Sequence, residues 1–172
     1  EQQGNRIGEM TPTGVFTEYA VPTTGILGGI TIDRLGVIWF VERGANRIGS
    51  ISFPDFNISS TPTSLTVAQA SSITSIITIR SLAAFSSSVI LSSSWVGGVT
   101  PAEVTVDFNS TSLTPPVGGS KNATLTLTTT SSTPTGSYTL RVTGTSGALS
   151  HYVDIAVTVS AAAFDFTVDA SP

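Results

Sequence analysis

The sequence has no cysteine among its 172 residues, which excludes disulfides, thiolate metal sites and a cysteine nucleophile. Packing alone must hold the fold. Charge is nearly as scarce: charged residues make up 10% of the chain, with a single lysine, Lys121, and a single histidine, His151. Seven basic residues stand against eleven acidic ones, a net charge of -4, so no basic stripe can neutralise a phosphate backbone and nucleic acid is not an expected partner. No apolar run approaches the ~20 residues that cross a bilayer, and no membrane span is expected. The opening EQQGNRIG lacks the charged-then-apolar layout of an export signal; an exported form would have carried that signal upstream.

What is present is an apolar fraction of 40%, enough for a packed core, and a polar complement dominated by Ser and Thr from Ser59 onward. Three acceptor sequons, beginning at Asn57, Asn109 and Asn122, suit a glycoprotein and an extracellular or cell-surface location.

Asn-Arg-Ile-Gly occurs at Asn5 and again 41 residues later at Asn46, a period in the range of a four-stranded propeller blade. VFTEYAV, GGITID, VIWFVE and NRIGSIS are short, β-branched or aromatic, and separated by turn residues, as the strands of one blade would be. The stretch GVFTEYAVPTTGILGGITIDRLGVIWFVERGANRIGSI resembles the repeat of the virginiamycin B lyase (streptogramin lyase) propeller family. That resemblance implies that residues 1–52 are the terminal, propeller-like end of an incomplete ring, with residues 1–10 as the tail of a penultimate blade and 15–52 as a last blade of four strands that depends on neighbours to cover its faces.

Beyond Phe53-Pro54-Asp55 the pattern changes to short alternating strands spaced by Ser, Gly, Pro and Asn turns, and no helical stripe appears. Val104, Val106 and Phe108 are expected on one strand face, with Glu103, Thr105 and Asp107 on the other. Leu125, Leu127, Leu140, Val142, Ile155, Val157 and Val159 continue the inner face, and Tyr138 stands where a tyrosine corner ties a loop to its strand. Residues 53–160 resemble the Ig-like repeats found in tandem on bacterial and archaeal surface proteins. DFTVDASP at Asp165 repeats DFNISSTP at Asp55 after 110 residues. Residues 161–172 therefore read as the first strand of a following Ig-like repeat, or as a donor strand in which Phe164, Phe166 and Val168 enter a neighbouring subunit's sheet.

Candidate chemistry is thin. The lyase resemblance implies histidine, glutamate and bound magnesium at a propeller centre, but the blade has no histidine, and Glu18 and Glu42 sit in repeat-signature positions suited to pairing with Arg43 or Arg47. His151 is in phase with Val153, Ile155 and Val157 and reads as a packing residue. Glu103 with Asp107, or Asp165 with Asp169, could pair carboxylates, yet no calcium-loop pattern supports them. Trp95 lids the sandwich core or, if exposed, stacks a sugar; Trp39 packs between blades.

The expected architecture is all-β: an Ig-like β-sandwich preceded by a propeller-blade-like four-stranded sheet. The expected role is a non-enzymatic structural or adhesive module without cofactor or metal, outside the cell, as a filament or surface-array subunit exchanging β-strands. Its expected partners are copies of itself, or upstream blades and downstream Ig-like domains of one protein. The alternatives are the C-terminal part of a streptogramin-lyase-like enzyme with an Ig-like stalk, and a carbohydrate-binding module using Trp95.

Overall fold

A computed structural model describes residues 6–10, 13–21, 27–98 and 100–163. The fold is all-β among the described residues, with strands joined by turns, a 3₁₀ turn at Arg43–Ala45, and a tight turn at Val96–Gly98 where Gly97 takes φ 85°. It divides into two compact units, one ahead of Asp55 that also takes in Leu82–Ala84, and one holding the remainder from Asp55 onward.

In the N-terminal unit, β1 (Arg6–Met10) and β2 (Phe16–Ala20) form an antiparallel hairpin. β3 (Leu27–Ile32), β4 (Ile38–Glu42) and β5 (Arg47–Ile51) form a separate three-stranded antiparallel sheet in chain order. This corrects the four-stranded blade. The VFTEYAV strand closes a short local hairpin with the strand before it and does not add to the sheet after it, since hairpin closure over a few residues costs the least chain entropy. Ile7, Val21, Leu27 and Phe40 form the buried cluster of this unit, with Ile51 packed against it.

The repeated Asn-Arg-Ile-Gly motif has a steric reason to end in glycine. A Cβ on Gly8 would run into the Phe16 ring, and one on Gly49 into the Phe40 ring and the Glu42 carboxylate. In both copies a phenylalanine ring lies directly on the glycine backbone.

The C-terminal unit is a sandwich. One sheet runs β10 (Val104–Phe108), β12 (Ser120–Thr129), β8 (Ser72–Leu82), β6 (Asp55–Thr61). The other runs β11 (Ser112–Leu113), β9 (Val89–Trp95), β13 (Gly136–Ser146), β14 (Leu149–Ser160), β7 (Ser64–Ala68). The first strand is thus divided between the sheets: β6 lies beside β8, then the chain crosses at Pro62–Thr63 and β7 pairs in parallel with β14. All other pairings with a described register in this unit are antiparallel, the arrangement of an immunoglobulin-type sandwich.

Alternation fixes the core. Leu125, Leu127, Leu140, Val142, Ile155, Val157 and Val159 all point inward and are buried, as their phase requires. Each such side chain contributes roughly 1.5–3 kcal/mol by leaving water. Val104, Val106 and Phe108 pack partly buried against them. Tyr138, two residues into β13, donates its hydroxyl to the Pro134 carbonyl at 3.1 Å, so the tyrosine corner is present.

Candidate functional site

The feature of the N-terminal unit that needs a functional account is an apolar sheet face. In β4, Phe40 and Glu42 turn toward the buried cluster while Trp39 and Val41 turn away, and Val41 stands opposite Ile48 of β5. Trp39, Val41 and Ile48 are exposed on this face, Ile30, opposite Phe40 in register, is exposed on the other, and together they border an open depression of about 460 Å³. On the hairpin, Met10 and Phe16 are cross-strand partners on the face away from Ile7, and both are exposed. Exposed apolar side chains gathered on a sheet face are the usual mark of a contact surface.

Polar groups around this surface hold it in shape. Asp33 Oδ1 accepts the backbone N–H groups of Leu35 and Val37, and Oδ2 accepts the Trp39 indole N–H at 3.0 Å. These donors, the indole foremost, hold the Asp33 carboxyl below the usual carboxylate range. Glu18 pairs with Arg6 at 2.7 Å, and Glu42 pairs with Arg47 at 3.4 Å. Pairing with Arg47 was expected for Glu42; Glu18 finds its partner across its own hairpin. The Tyr19 hydroxyl donates to Glu9, which raises the phenol's pKa, and the Tyr19 ring meets Phe53 at 4.3 Å.

In the sandwich, His151 Nε2 lies 2.7 Å from Asp55 Oδ1, and the imidazole meets the Phe56 ring edge-on at 4.8 Å. The aspartate is the partner that sequence reading did not find, because 96 residues separate the two. Arg141 makes a bidentate pair with Asp154, both bonds at 2.8 Å, and lies 3.7 Å over the Tyr152 ring. The pair raises the Arg141 pKa and lowers that of Asp154.

Glu103 does not share a strand face with Asp107: it precedes β10 with φ 59°, and this left-handed turn takes it out of the strand's alternation. Trp95 ends β9, half-buried against the core, its ring 6.0 Å from Tyr138 in an edge contact. Asn57, Asn109 and Asn122 are all exposed. Asn57 and Asn122 alternate with inward residues of β6 and β12 and so share the outer face of one sheet, while Asn109 Oδ1 accepts the Thr124 N–H at 2.8 Å. Phe164, Phe166, Val168, Asp165 and Asp169 lie outside the described residues, as does most of the 161–172 segment. Among the described residues, no group of three or more His, Asp or Glu side chains is placed to hold a metal, and no helix is long and apolar enough to cross a membrane.

No family model matches the chain, and no curated protein matches it. Among solved structures, domains 4 and 5 of the S-layer protein SbsC align at 15% identity and a TM-score of 0.45, over 73% of this chain and 65% of that one. A family 123 glycoside hydrolase from Clostridium perfringens aligns at 15% and 0.48, over 61% of this chain and 27% of the enzyme. The E. coli chaperone DraB aligns at 17% and 0.42, over 60% and 54%. The chain thus spans less than two thirds of the length of each of these structures, and no assignment of function rests on likenesses at these scores.

Proposed function

We propose that this chain is a non-enzymatic structural module of an extracellular or cell-surface protein, one that builds larger β assemblies by contact between copies or repeats. The observation that carries the reading is the exposed apolar surface of the N-terminal unit, where Ile48, Trp39, Val41 and Ile30 on one sheet and Met10 and Phe16 on the hairpin face solvent. A small β unit that leaves both kinds of surface open gains by covering them. The sandwich supports the same reading differently. Its core is filled, its outer faces are lined largely by Ser and Thr, and it suits a spacer between assembling parts. The sequons at Asn57, Asn109 and Asn122 fit a glycosylated exterior.

The test is assembly itself. Sedimentation velocity across a hundredfold concentration range should show species larger than the monomer, and negative-stain microscopy of concentrated protein should show ordered polymers or arrays. A chain that remains monomeric throughout and forms no ordered structure would refute the proposal.

A further inference from the structure

Ile7 and Ile48 hold the same place in the two copies of Asn-Arg-Ile-Gly, yet Ile7 is 6% exposed and Ile48 is 72% exposed. The difference comes from what lies over each. Ile7 leaves the hairpin on the side that joins Leu27 and Phe40 of the next repeat's sheet. Ile48 leaves that next sheet on the corresponding side, beside Val41, with Trp39 further along β4. One repeat therefore rests its isoleucine face on the phenylalanine face of the repeat that follows, and the second repeat presents the same isoleucine face bare.

The opposite end of this two-layer stack is bare as well. The hairpin's other face carries Met10 and Phe16, with Phe16 lying over Gly8 as Phe40 lies over Gly49. One end presents an apolar depression and the other presents apolar side chains. Two unlike, complementary patches on one molecule make a heterologous contact, which propagates from copy to copy until it closes into a ring or runs on as a thread.

We propose that the Trp39, Val41 and Ile48 face seats the Met10 and Phe16 face of a second copy of this chain, so that copies join head to tail in the sense already used between Ile7 and Phe40. This inference rests on the reading of the chain as a self-assembling module and names the surface that does it. The Arg6–Glu18 pair beside Phe16 is satisfied within its own hairpin, and Asp33 is satisfied by the Trp39 indole and its own turn, while Arg43 borders Val41 and Ile48 at the rim, where it stays in reach of water.

The absence of native cysteine makes the test direct. Under mild oxidation, the Ile48→Cys, Phe16→Cys double variant should give a ladder of covalent oligomers. Each single variant should stay monomeric on a non-reducing gel, because like faces do not meet. In sedimentation, Ile48→Asp and Phe16→Asp should each weaken assembly at least about tenfold. Both sites are exposed, and circular dichroism checks that the variants fold. Two results would overturn the inference while leaving the self-assembly reading standing: assembly unchanged in both aspartate variants, or Ile48→Cys alone cross-linking as well as the pair. A wild-type chain that never assembles would end both.

Discussion

The imidazole Nε2 of His151 lies 2.7 Å from Oδ1 of Asp55, and this contact joins the last strand of one sheet to the first strand of the other. The same carboxylate oxygen accepts the Phe56 backbone N–H at 2.7 Å, and the Phe56 ring underlies the imidazole. Strand β6 is thereby tied to β14 by a polar bond, a ring contact and the core burial of Phe56 together.

Replacing His151 with Ala should lower the unfolding free energy of the sandwich by about 1 kcal/mol, since both side chains remain more than a third exposed and water weakens the pair. Asp55→Asn should cost a similar amount, and the double variant should cost less than the sum of the two. Urea unfolding of the four proteins measures this coupling.

Tyr138→Phe removes the hydroxyl bond to Pro134 and leaves the ring against Trp95. The expected loss is about 1 kcal/mol, read as a shift of the denaturant midpoint at constant slope.

Gly144→Ala puts a methyl group 2.9 Å from Val89 Cγ1 and 3.1 Å from a Phe56 ring carbon, inside a packed core. Overpacking of this kind costs about 1–3 kcal/mol. Leu127→Ala, which leaves a cavity at a fully buried site, should cost about 2–5 kcal/mol. Ile48→Ala, by contrast, should leave monomer stability within about 0.5 kcal/mol. Thermal and urea unfolding distinguish the three.

Asp33 has a folded-state pKa held below its ordinary value by the Trp39 indole and the turn's backbone N–H groups. The contribution of this carboxylate is therefore present above the ordinary aspartate range and is lost as pH falls through the lower folded value. In a Trp95→Phe background, Trp39 fluorescence should hold steady near neutrality and change on acidification. Asp33→Asn should shift or remove that acid transition.

Most of the sandwich was legible because its strands obey a period of two and its turns carry their own residues. The phase of Ile155, Val157 and Val159 alone determines which way β14 faces. Tyr138 announced its corner through the Pro-Thr-Gly-Ser-Tyr turn. The N-terminal unit was legible as repeats but not as pairings: the sequence contains the strands, yet β2 chose its partner by proximity along the chain and not by membership in the repeat. The Asp55–His151 contact lay hidden because no local pattern links residues so distant in sequence. The alternation expected to carry Glu103 failed because it ignored a left-handed turn at a residue type that rarely adopts one. Likewise, the two copies of Asn-Arg-Ile-Gly are identical in letters, so only three dimensions could reveal that one isoleucine is covered and the other bare.

The parallel pairing of β7 with β14 sets the strand that follows the entering β6 beside the departing strand, both running the same way. Tension applied through the two ends would slide these strands lengthwise past each other and load their backbone bonds together, not peel them apart in turn. A link of that geometry yields abruptly, because its bonds fail together and not in turn.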